Sequence, residues 1–125
     1  MTKIIETKIK VLVVDDDKDI CFIIKTNLKN RGHLVEQAFR GEEALVKIEE
    51  FEPRVILLDI KMPGVTGDRL VTMITNMYPN IKVIMVAGEM SEDDKKILIN
   101  YGAFDCMHDP VASEDLNNKI LEAVK

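Results

Sequence analysis

Cysteine is scarce in this sequence, and the two present, Cys21 and Cys106, stand far apart and form no CxxC pair. That spacing gives no support to a zinc site or a dithiol redox motif, and it reads as reduced thiols of a cytoplasmic protein. Long hydrophobic runs are lacking as well. Val11 to Val14 and Val55 to Leu58 have four residues each, against roughly 20 needed to span a bilayer. Met1 to Lys10 alternates polar and apolar residues, without the apolar region and small-residue cleavage site of an export signal. No membrane association is expected. An excess of positive charge is also missing: 17 Lys and Arg face 22 Asp and Glu, a formal net charge of -5. Direct nucleic-acid binding, which needs clustered Lys and Arg, is therefore not expected. Low-complexity segments, internal repeats and an interdomain linker are absent too, so residues 1–125 read as one domain.

What is present is an ordinary globular composition, 46% hydrophobic and 31% charged. At 125 residues such a chain buries well over half of its unfolded surface and needs no disulfide or structural metal. Short β-branched runs alternate with longer stretches whose apolar residues recur at three- and four-residue spacing, the mark of an α/β protein. Strands are expected at Lys8 to Val14, Leu34 to Ala38, Val55 to Leu58, Lys82 to Val86 and Phe104 to Met107. Between them, Ile20, Ile24 and Leu28 make one helical stripe; Leu45, Ile48 and Phe51 a second; Leu70, Met73, Ile74 and Met77 a third. Ile97, Leu98 and Tyr101 make the fourth, and Leu116, Ile120 and Val124 the fifth. Ser91 with Asp94, and Ser113, are expected caps. Gly32, Pro53, Pro79 and Gly102 stand where helices should stop. The expected fold is a doubly wound, five-stranded parallel sheet in the order 2-1-3-4-5, a (βα)5 flavodoxin-like unit.

In such a sheet ligands bind beyond the carboxyl ends of the strands. Asp15, Asp16 and Asp17 leave the end of the first strand and Asp59 leaves that of the third, its neighbour. Asp15 or Asp16 should thus approach Asp59, and the mutual repulsion of such carboxylates is relieved by a hard divalent cation. Magnesium, which takes few carboxylates and keeps several waters, fits best. Short acidic runs also cap helices, as Asp17 can do for the helix beginning near Lys18. His33 falls at the opposite end of the sheet and reads as structural or surface. Most of the methionines read as core and element-end residues, and Lys95 and Lys96 as a solvated helix face.

VLVVDDD (Val11 to Asp17), VILLDIKMPGVTG (Val55 to Gly67) and GAFD (Gly102 to Asp105) resemble the receiver domain of bacterial two-component response regulators, over nearly the whole chain. The resemblance implies a carboxylate that takes a phosphoryl group from a histidine kinase, with Mg2+ (or Mn2+) bridging that group and an acidic pair. Asp59 matches the phosphoacceptor, Asp15 and Asp16 the pair, and the backbone carbonyl of Lys61 the main-chain metal ligand. It implies a signalling domain rather than a turnover enzyme, acting through a partner surface of the fourth helix, fifth strand and fifth helix on an effector domain or a downstream protein.

Three positions depart from the family pattern. The Thr or Ser that ends the fourth strand is Ala87, the aromatic residue midway along the fifth is Cys106, and the Lys before a Pro is Asp109. At about 5 Å and an effective dielectric of about 20, two unit charges interact by roughly 3 kcal/mol, so a carboxylate in place of the lysine opposes a phosphoryl dianion and favours a divalent cation. His108 offers a replacement cation, but strand alternation aims it away from Asp109. Two readings stay open: a phosphoacceptor receiver, and a pseudo-receiver that keeps the fold and binds partners without phosphorylation.

Overall fold

A computed structural model of the chain describes residues 8–59, 67–108 and 112–125. Its elements run β1 (Lys10–Val14), α1 (Lys18–Asn30), β2 (Leu34–Ala38), α2 (Gly41–Phe51), β3 (Val55–Asp59), α3 (Gly67–Met77), β4 (Lys82–Ala87), α4 (Glu92–Asn100), β5 (Asp105–His108) and α5 (Ser113–Ala123). All strand pairs are parallel, in the order β2-β1-β3-β4-β5, as the alternation of elements predicts. Strand ends shift slightly from the sequence-based expectation: β1 begins at Lys10, Asp59 and Ala87 still pair within β3 and β4, and β5 runs one residue later.

The central strands are continuous apolar runs because helices cover both faces of the sheet. Ile48 of α2, Leu70 and Ile74 of α3 and Leu98 of α4 pack on Leu12, Ile56 and Met85. On the other face, Cys21 and Leu28 of α1 and Leu116 and Ile120 of α5 pack on Val13, Leu57 and Ile84. His33 is structural: it is buried, its Nδ1 accepts from the Ile9 N–H at 3.3 Å, and its Nε2 lies 2.7 Å from Asn117 Oδ1. With Nδ1 accepting, the proton sits on Nε2 and donates to Asn117, which ties α5 to the entry of β1. Among the described residues, no helix is long and apolar enough to cross a membrane.

Several stripe residues turn outward. On α3 the buried positions are Gly67, Leu70, Val71 and Ile74. At about 100° per residue Met73 falls outside that arc and Met77 lies at its edge in the last turn, and both are exposed. On α4 only Leu98 is buried, so Ile97 and Tyr101, expected to cover the sheet, face solvent instead. The capping box of Ser91 and Asp94 is present. The expected Ser113 cap is not: the N-cap is Ala112, and the Ser113 hydroxyl accepts from Arg31 Nε at 3.3 Å.

Gly32 and Gly102, just past α1 and α4, take φ of 94° and 119°, a region costly to side chains. A Cβ on Gly32 would meet open space, whereas one on Gly102 would lie 2.8 Å from the Thr75 Cβ, fixed to α3. Gly32→Ala is expected to destabilise by roughly 1–2 kcal/mol and Gly102→Ala by a further 1–3, roughly, from the overlap. Urea unfolding midpoints check the order; equal losses would contradict the close approach of α3 to the end of α4.

Candidate metal centre

Register decides where the acidic residues meet. Val14 pairs with Leu58 across β1 and β3, so Asp15 and Asp59, each one residue further on, leave neighbouring parallel strands side by side. Asp16 joins them: one carboxylate oxygen from each of Asp15, Asp16 and Asp59 can be chosen so that all lie within 4.8 Å of one another. Asp15 is buried, Asp59 half-buried and Asp16 exposed, so the cluster opens to solvent on the Asp16 side. Asp17 serves the helix instead, its Oδ1 accepting from the N–H groups of Asp19 at 2.9 Å and Ile20 at 3.2 Å.

Burial pushes the Asp15 carboxyl up to about 7; the Asp17 N–H, 2.9 Å from Asp15 Oδ1, opposes this, and the charges of Asp59 and Asp16 add to it. The cluster thus resists full ionisation, and an all-oxygen donor set with surplus negative charge fits a hard divalent cation. Mg2+ suits three carboxylates of which one reaches solvent, because that ion retains water ligands. Lys61, whose carbonyl is the expected fourth contributor, and Asp109 both lie outside the described residues.

Cys21 has a supporting role that sequence reasoning missed. Its thiol donates to the Asp15 carbonyl at 3.3 Å, and burial together with the Asp15 charge pushes it up to about 12. It is a neutral, unreactive brace under the acidic turn. Its place one helical turn beyond the Asp17 cap was the signal that could have found it.

Of the altered positions, Ala87 and Cys106 fall among the described residues. Val86 pairs with Asp59, and Ala87, buried, is the next residue and ends β4. Cys106 is buried against the α3–α4 side of the core; burial pushes its thiol up to about 11, with Asp105 adding and Lys95 opposing. His108 is exposed at the end of β5, opposite Ala87. Lys95, expected to be solvated, instead pairs with Asp105 of β5 at 3.5 Å, while Lys119 of α5 reaches the same carboxylate at 2.7 Å. Burial alone would raise Asp105, but Lys119, the Cys106 N–H and Lys95 outweigh it and hold the carboxyl below its ordinary value. One half-buried carboxylate thus links α4, β5 and α5.

The response regulator receiver domain family matches this chain over residues 11–121. Among solved structures, the chain is similar to a CheY-like response regulator receiver domain protein from Methanospirillum hungatei JF-1, with 35% identity, 94% of each chain covered and a TM-score of 0.88. The receiver domain of Francisella response regulator 1452 is 31% identical, with 94% of this chain and 97% of that one covered and a TM-score of 0.87. NtrX from Brucella abortus is 29% identical with a TM-score of 0.89; the match covers 94% of this chain but 27% of that longer one.

The raised Asp15 carboxyl sets a pH dependence. Unfolded, it ionises near its ordinary 3.8; folded, it holds its proton to about 7. Between those values the folded state binds more protons, so its contribution to stability is complete below 3.8 and is lost as pH rises through 7. In metal-free buffer, Asp15→Asn should therefore gain stability relative to the native protein as pH rises from about 4 to about 7, the window between the two values, and Mg2+ should narrow the gap at the upper end. Parallel urea midpoints for both proteins at all pH values would contradict the strain assigned to Asp15.

Proposed function

This chain belongs to the response regulator receiver domain family, and from that membership we propose that Asp59 accepts the phosphoryl group while Asp15 and Asp16 hold Mg2+ (or Mn2+) beside it. The domain is a phosphoacceptor module of two-component signalling. The observation that carries the assignment is the register that sets Asp59 beside Asp15, with Asp16 in reach. The carbonyl of Lys61 completes the proposed donor set.

In the proposed reaction a carboxylate oxygen of Asp59 attacks the phosphorus of a phosphohistidine on a sensor kinase. The O–P bond forms as the P–N bond breaks, and the electron pair leaves with the imidazole nitrogen, which then takes a proton. Mg2+ held by Asp15, Asp16 and Asp59 would supply positive charge against the transferring oxygens. The chain's own contribution is placement: β3 presents Asp59, the turn after β1 presents Asp15 and Asp16, and Cys21 and the Asp17 cap fix that turn from behind. The output surface is α4, β5 and α5, joined through Asp105, and it meets an effector domain or a downstream protein. Residues 1–125 act as a single receiver unit without contacting nucleic acid themselves. Two buried free thiols accord with a cytoplasmic setting.

A second reading is favoured by Ala87 and Asp109. Ala87 has no hydroxyl to bond a phosphoryl oxygen, and Asp109 brings negative charge where the family has a lysine. A pseudo-receiver would keep the acidic cluster and its partner surface without being phosphorylated.

Intact mass after incubation with Mg2+ and acetyl phosphate or phosphoramidate separates the two. The expected result is a phosphoryl adduct on the native protein, none on Asp59→Asn, and a higher yield on Asp109→Lys. An adduct that survives Asp59→Asn would overturn the assignment, and an adduct on Asp109→Lys alone would favour the pseudo-receiver.

A further inference from the structure

At the opposite end of the sheet from the acidic cluster, a cavity of about 490 Å3 opens between the C-terminal ends of α2 and α3. That size lies within the range of small-ligand and side-chain pockets. Ile48, Pro53 and Ile81 give it apolar walls, and the rim carries Met77, 59% exposed, and Tyr78. Among the described residues, the only charged ones lining it are Glu49 and Glu52.

Those carboxylates lack a cation of their own. Among the described residues Glu49 accepts from the neutral Tyr78 hydroxyl, and neither glutamate has an ion pair. The neighbouring basic groups are engaged elsewhere: Lys47 pairs with Glu36 at 3.7 Å, Arg54 donates to the Val124 carbonyl at 3.3 Å, and Lys10 lies over the Phe51 ring. Lys82, next to Ile81 in the chain, is sent to the other face by strand alternation. The last turn of α2 has no basic residue, so these acids also face the negative end of the helix dipole, the reverse of the stabilising arrangement.

We propose that this cavity receives an arginine or lysine side chain presented by a partner polypeptide. The aliphatic stem would lie along Met77, Pro53 and Ile81 while the cationic head meets Glu49, Glu52 and the Tyr78 ring. A polypeptide fits better than a free small cation because the acidic surface continues past the cavity. On the other flank of the α2 end, Glu36, Lys47, Glu50 and Phe51 line a second, smaller hollow of about 140 Å3, where Lys47 pairs with Glu36 and Glu50 has no ion pair among the described residues. Because the cavity shares no residue with the acidic cluster, docking there leaves Asp59 open, and the inference stands apart from the phosphoacceptor reading.

The test is a titration of 15N-labelled full chain with the blocked peptide acetyl-Leu-Arg-Leu-Arg-amide, followed by amide NMR shifts. Arginine amide and the Gln-for-Arg peptide serve as comparison probes. Saturable shifts are expected at Ile48–Glu52 and Met77–Ile81, except Pro79, which has no amide proton. Affinity should weaken about fivefold or more in the Glu49→Gln, Glu52→Gln double variant, and Asp59→Asn should bind like the native protein. Both glutamates are exposed, so the variant's unchanged spectrum elsewhere will verify its fold. Native-like binding by the double variant, equal binding of the Gln peptide, or arginine amide binding as tightly as the Arg peptide would each overturn the proposal.

Discussion

Parallel pairing of β1 with β3 brings Asp15 and Asp59 to the same end of the sheet, one residue past Val14 and Leu58. The apolar interior imposes this proximity. Val11 to Val14 and Val55 to Leu58 are sealed between two layers of helices, and the free energy of burying them outweighs the repulsion at their ends. The unfavourable term persists locally in Asp15, whose carboxyl remains protonated to about 7. The Asp17 cap and the Cys21 thiol hold the turn in place despite that repulsion. A fold that keeps negative charges together is prepared for a divalent cation and, with it, for an incoming phosphoryl group.

The same architecture separates tasks between the two ends of the sheet. Acidic residues gather beyond the carboxyl ends, at the proposed phosphoacceptor site, while the amino ends carry His33, Asn117 and the cavity between α2 and α3. Along the β5 edge, Asp105 receives Lys95 and Lys119, and this links the elements of the proposed output surface by charge. Ala87 at the end of β4 and Cys106 in β5, both small and buried, lack the hydroxyl and the ring that the family resemblance implies at these places.

Much of this was legible in the sequence because period and punctuation agree. Apolar strands of four to six residues, helices ended by Gly32 and Gly102, and acids placed at the ends of two strands all point to one topology. Asp15, Asp16 and Asp59 could be grouped before any coordinates because parallel neighbours end together. What was not legible depends on rotation and reach. Met73, Met77, Ile97 and Tyr101 keep helical spacing yet fall outside or at the edge of the buried arcs, which only packing defines. Cys21 supports Asp15 through a carbonyl, a contact marked only by its place one turn beyond the Asp17 cap, and Lys95 finds Asp105 across an element boundary, which no local pattern encodes. Ser113 resembles a cap but lies one residue inside its helix.

In the proposed metal site the three carboxylates act together on one divalent cation. Substoichiometric Mn2+ added to 15N-labelled protein tests it through paramagnetic broadening of the amide signals. The account predicts that Val14 to Asp17 and Asp59 broaden first, that excess Mg2+ reverses the effect, and that Asp15→Asn removes it. Earlier or equal broadening at the other acidic surfaces, the α4 start at Glu92 to Asp94 or the α2 end at Glu49 to Glu52, would contradict it.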